Sequence, residues 1–189
     1  VLQGGLRLVH LGLYWRPLPA QCRGRQPTPL AHTLQRFKFG GDRYAGHCLA
    51  LLFAESLADY VTQNDRGSGS RYDTIVPVPL SNAGLGARRF NQSAWLARRL
   101  SWRARVAYRP GWLQRPLDRH PQRGLGAGAR RANVNGAFRP GRLPPRPGRV
   151  LLVDDVCTTG STLTEAVRVL ADAGAESVEA AVLILAQSG

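Results

Sequence analysis

The residue pattern predicts an α/β domain: a mainly parallel central sheet flanked by helices, with a short irregular N-terminal extension. Three observations predict it. Segments of helical period alternate with short β-branched or apolar runs from residue 46 onward. The run RVLLV at 149–153 is continuously apolar, as a strand covered on both faces must be. With 189 residues, 43% of them hydrophobic, the chain can bury a sizeable core and is too apolar for whole-chain disorder.

The elements follow in order. Residues 1–32 read as an irregular segment because Pro17, Pro19, Pro27 and Pro29 interrupt any helix, and residues 33–189 as the domain proper. Gly46 to Val61 has the apolar spacing of an amphipathic helix, with Leu49, Leu52, Phe53, Leu57 and Tyr60 on one face. After the loop-forming stretch 64–71, Tyr72 to Leu80 (YDTIVPVPL) reads as a strand. Its alternate Pro77 and Pro79 can both sit where no ladder donor is needed. Gly84-Leu85-Gly86 leads into a second helix, Arg89 to Leu100, carrying Phe90, Ala94, Leu96, Ala97 and Leu100.

Residues 105–114 suit a weak or edge strand. Arg115 to Arg131 lacks apolar periodicity and reads as a mobile loop, and Pro140 to Gly148 as a Pro-rich connection. Arg149 to Val153 is the buried strand. Ser161 to Ala173 forms a helix with Leu163, Val167 and Leu170 inward, stopped by Gly174, and Val178 to Leu185 is the last strand. Ligands of such sheets bind beyond the carboxyl ends of the strands.

Charge is concentrated. Of 26 basic residues only Lys38 is a lysine, and the formal net charge is +14. Residues 88–149 hold 16 arginines and one acid, Asp118, so this segment carries the whole excess. Such a field attracts polyanions, nucleic acid and pyrophosphate alike, while codon bias and solubility account for many arginines without any partner.

Several classes are excluded. The best apolar run, Val178 to Ala186, is too short to cross a bilayer and contains Glu179, so no membrane span is expected. Arg7 and His10 interrupt the only N-terminal apolar stretch, which removes the signal-peptide reading. Three scattered cysteines, Cys22, Cys48 and Cys157, give no disulfide framework and fit a soluble cytoplasmic protein. No GxxxxGK[ST] and no strand-linked GxGxxG occurs.

The candidate site is Val150 to Leu163, VLLVDDVCTTGSTL. An apolar strand runs into two adjacent carboxylates, Asp154 and Asp155. Thr158, Thr159, Gly160, Ser161 and Thr162 follow, opening a helix. Backbone N–H groups, hydroxyls and a helix N-terminus suit a phosphate, and Gly160 lets the backbone approach it. Two acids beside an anion site make sense when the ligand also carries a diol or a divalent metal. The alternative is an N-capped helix with the acids exposed at a turn; the full string disfavours it.

VLLVDDVCTTGSTL resembles the phosphoribosyl-pyrophosphate motif of the type I phosphoribosyltransferases. VPVPL followed by RRFNQSAWLARRL, and RHPQRGL followed by RRANVNGAF, narrow the resemblance to the ComF family, associated with DNA uptake and competence. LQRFKFGG at 34–41 resembles the family segment just ahead of the catalytic domain, so the likeness covers about residues 30–187. The resemblance implies a type I phosphoribosyltransferase-like fold, with Thr158 to Thr162 on the 5-phosphate and Asp154 and Asp155 on the ribose hydroxyls, supporting Mg²⁺ through water or those hydroxyls. It places the turn at Leu80, Ser81 and Asn82 near the pyrophosphate and a closing loop at 115–131. Arg88, Arg89, Arg119 and Arg123 are the candidates on the leaving-group side.

Two features depart from the family pattern. Its N-terminal four-cysteine zinc module is represented by Cys22 alone, so no zinc is expected in this chain. Its Arg-Gly-Phe-Asn-Gln reads Arg88-Arg89-Phe90-Asn91-Gln92, which places a side chain where glycine would allow close approach to pyrophosphate.

Two functions compete. One is transfer of the ribose phosphate to a nitrogen nucleophile. The other is a non-enzymatic module that senses phosphoribosyl pyrophosphate or a nucleotide and engages single-stranded DNA or a DNA-uptake partner through the arginines; a homodimer is compatible with either. Trp95 and Trp102 could stack on bases, though helix packing explains Trp95 more simply. Cys157 reads as a small filler, not an activated thiol. Phe37 and Phe39 around Lys38 read as an anchor for the domain entry.

Overall fold

The computed structural model describes residues 8–10, 29–63, 69–80, 90–116 and 136–185. Five strands form one parallel sheet: β1 (Leu8–His10), β2 (Thr74–Pro77), β3 (Ala107–Tyr108), β6 (Arg149–Cys157) and β7 (Ser177–Leu185), in the order β1-β7-β6-β2-β3. Two further strands, β4 (Leu113–Gln114) and β5 (Arg139–Pro140), pair antiparallel apart from it. The helices are α1 (Pro29–Phe39), α2 (Arg43–Thr62), α3 (Gln92–Ala104) and α4 (Ser161–Asp172).

Alternation along the strands divides the core into two layers. Ile75, Leu151, Val153, Ala181 and Leu183 face α1, α2 and α3. Val76, Val150, Leu152, Ala180 and Val182 face α4 and the β4–β5 pair, where Trp112, Leu113 and Phe138 pack. The continuous apolar run of β6 is thus explained: it is the middle strand and has no wet face.

Pro77 is accommodated as its sequence context requires. Ile75 offers its carbonyl to the Arg109 N–H on the β3 side, so Pro77, two residues on, faces that side beyond the end of β3. Val78 then donates to the Val153 carbonyl at 2.9 Å and keeps the β2 end beside β6.

Several boundaries differ from the sequence expectation. Pro29 does not break a helix; it occupies the first turn of α1, where its missing N–H would be unpaired anyway. Leu8–His10, read as irregular, pairs with Ala180–Val182 as an edge strand. α2 begins at Arg43 because Asp42 caps it, accepting from the Ala45 N–H at 2.9 Å, and Leu52, assigned to its inner face, is 45% exposed. β6 runs to Cys157, not Val153, so both acids lie on the strand itself. The single weak strand expected over 105–114 is two short ones in different sheets.

Candidate ribose-phosphate site

The site is built where the middle strand meets the first turn of α4. Asp154 is half-buried and Asp155 buried, both on the carboxyl-terminal half of β6. The chain then bends at Thr158, Thr159 and Gly160 and enters α4 at Ser161 and Thr162. Gly160 is the N-cap, with φ of +79°, a left-handed conformation that disfavours any side chain. Gly160 supplies no capping side chain; the Ser161 N–H makes a long 3.5 Å hydrogen bond to Thr159 Oγ1 at the positive end of the helix dipole. The Thr159 and Ser161 hydroxyls lie 2.9 Å apart and hold the turn together.

Each acid is gripped from one side. Asp154 Oδ1 accepts from the Ser93 hydroxyl at 2.7 Å and from the Asp155 N–H at 2.8 Å. Asp155 Oδ2 pairs with Lys38 Nζ at 2.7 Å. Among the described residues Asp154 Oδ2 and Asp155 Oδ1 accept no hydrogen bond, which leaves one oxygen per acid for a ligand. Burial, reinforced by the Asp155 charge, pushes the Asp154 carboxyl up to about 7. Cys157, 2% exposed, is likewise pushed up, by burial and then by Asp154, so it is not an activated thiol.

A directly ligated divalent ion needs about six oxygen ligands. Here each acid has one oxygen engaged, and no group of three or more His, Cys, Asp or Glu side chains occurs among the described residues. Two carboxylates with one open oxygen each would hold a divalent ion only with water or ligand oxygens completing its coordination.

Three helices and β2 converge on this pair. Asn91 caps α3, accepting from the Ala94 N–H, and its amide donates to the Val78 carbonyl at 3.0 Å, tying the end of β2 to the start of α3. The same first turn delivers Ser93 to Asp154. Leu80 is half-buried beyond the end of β2, whereas Ser81, Asn82, Arg88, Arg89, Arg119 and Arg123 lie outside the described residues, as does 117–131 of the expected loop. Sequence reading missed Ser93 and Lys38. The usable signal was Lys38's status as the one lysine beside 25 arginines.

A parallel sheet whose middle strand carries an acid pair into a small-residue turn and a helix N-terminus is phosphoribosyltransferase-like. The phosphoribosyl transferase domain family model matches residues 134–189. Over 160 residues, 82% of the chain, it is 33% identical to competence protein F of Haemophilus influenzae, spanning 68% of that protein. The chain belongs to this ComF family. It is also 34% identical over 132 residues to DNA utilization protein YhgH of Salmonella typhimurium and 36% over 107 residues to that of Escherichia coli O157:H7. These alignments cover 69% and 57% of this chain and 58% and 47% of those relatives. Among solved structures it is similar to orotate phosphoribosyltransferase from Aeropyrum pernix, with 22% identity and a TM-score of 0.43 over 80% of this chain and 63% of that one.

Proposed function

We propose that the site binds phosphoribosyl pyrophosphate and transfers its ribose phosphate to a nitrogen nucleophile, in the cytoplasm and in connection with DNA uptake. One observation carries the reading: adjacent acids each keep one oxygen available beside a phosphate-type turn. In this reading the two open carboxylate oxygens accept from the ribose hydroxyls, and the N–H groups and hydroxyls of 158–162 take the 5-phosphate.

In the reaction the bond from the anomeric carbon to pyrophosphate breaks, with its electron pair leaving on the pyrophosphate oxygen. The nitrogen lone pair forms the new bond, and the proton lost from the nitrogen passes to solvent water. Asp154 and Asp155 would support Mg²⁺ through water or the ribose hydroxyls, and the ion would offset the negative charge of the leaving group. The acids fix the ribose while positive charge develops on it, and arginines such as Arg88 and Arg89 stabilise the leaving group. No side-chain nucleophile is needed.

Calorimetric titration with phosphoribosyl pyrophosphate and Mg²⁺ tests this. Saturable binding is expected, reduced at least about tenfold in the Asp154→Asn/Asp155→Asn double variant. Folded wild type that gives no binding heat at millimolar ligand would remove the reading.

A second reading, engagement of single-stranded DNA, is favoured by a different surface. A groove of about 390 Å³ on the outer face of α2 and α3 is lined by His47, Trp95, Arg98, Arg99 and Trp102. Trp102 is 69% exposed, with the Arg99 guanidinium 4.7 Å from its ring centre. Trp95 instead packs on Phe37 and Phe90. An exposed indole flanked by arginines suits a base and its phosphate.

A further inference from the structure

Lys38 has a place in the molecule that a surface cation would not have. It is the only lysine among 26 basic residues, and its side chain is 13% exposed while that of its partner Asp155 is 11% exposed. Its position is fixed from three directions. Phe37, fully buried, stacks 5.0 Å from Phe90 and lies against Gly46, where a Cβ would fall 2.1 Å from the ring. Arg36, two residues before it, pairs with Asp42, the cap of α2. The chain then turns at Gly40, whose N–H bonds the Arg36 carbonyl at 2.8 Å, and at Gly41, with φ of +64°. A buried ion pair held so rigidly is costly to form.

We propose that Lys38 is the resident cation of the acid pair: a positioning residue that occupies at Asp155 Oδ2 the place a directly ligated divalent ion would take. The acids then face the ligand with one oxygen each and with less negative charge, and they do so without a metal of their own. This rests on reading the pair as the ribose subsite. It also links α1, outside residues 134–189, to the chemistry at β6.

The test uses Mn²⁺ alone, followed by electron paramagnetic resonance on the full chain without phosphoribosyl pyrophosphate. Wild type and Lys38→Arg are expected to bind no Mn²⁺ at the pair, since both keep the cation. Lys38→Met and Lys38→Gln are expected to gain one Mn²⁺ site, lost again when Asp155→Asn is added. Glutamine retains a polar contact to Asp155, so it serves if the methionine variant fails to fold. Equal Mn²⁺ binding by wild type and the two neutral variants, whether present or absent, overturns the proposal. A parallel titration with phosphoribosyl pyrophosphate is expected to show about tenfold weaker binding at low Mg²⁺ in the neutral variants, regained as Mg²⁺ rises. Failure of wild type to bind that ligand would remove the functional reading, while the Mn²⁺ result would still decide the role of Lys38.

Discussion

Asp154 shows at the scale of one residue how the site trades stability for binding. Its carboxyl is raised from 3.8 to about 7, so between those values the folded protein holds a proton that the unfolded chain has released. By linkage, this residue makes stability fall as pH rises through that window and contributes no further slope above it. Asp154→Asn removes the slope. The variant is expected to be more stable than wild type by about 1–3 kcal/mol above pH 7, with the gain disappearing towards pH 4. Thermal melting of both proteins across this range checks it; a difference independent of pH would show that the acid is not strained. Asp73 and Glu165 have the opposite sign. Hydrogen bonds from Arg149 and Arg168 hold them below the usual carboxylate range, so their stabilisation is present at neutral pH and lost as pH falls through their depressed values.

Among the elements, the contact between α1 and α2 controls the site from a distance. Gly46 lies inside α2, where alanine would ordinarily add about 1 kcal/mol of helix stability. Here its missing side chain makes room for Phe37, and Phe37 precedes the lysine that holds Asp155. Overpacking of this kind costs about 1–3 kcal/mol and exceeds the helical gain. Gly46→Ala is therefore expected to lower the melting temperature and to weaken binding of phosphoribosyl pyrophosphate, although its Cα is not in the site. A melting temperature equal to or above wild type would show that the aromatic cluster relaxes freely.

For the whole molecule, the deciding feature is the distribution of charge. The excess of residues 88–149 includes Arg98 and Arg99 on the outer face of α3, beside exposed Trp102. If this face takes single-stranded DNA, affinity should fall steeply with salt, by about 0.7 in the log–log slope for each phosphate contact. Arg98→Ala/Arg99→Ala should make that slope shallower by about 1.4, and Trp102→Ala should weaken binding with the slope kept. Fluorescence anisotropy with an oligonucleotide measures both; a slope unchanged by the arginine substitutions would move the interface elsewhere.

The α/β class, the buried strand and the acid pair were legible in the residues alone, because each is written in contiguous positions. An apolar run, two carboxylates and a small-residue turn follow one another within Val150 to Leu163, and local periodicity is enough to read them. The sequence likewise placed Pro77 at a donor-free position. It did not mark α1, because Pro29 looks like a breaker until its place in the first turn is known. Nor could it mark the partners of the acids. Ser93 is 61 residues from Asp154, and Lys38 lies still further from Asp155 along the chain. Their meeting depends on α1 and α3 packing on the same face of the sheet. Which oxygen of each acid the protein holds and which it leaves open follows from that packing, because hydrogen bonding between distant residues leaves no period in the sequence.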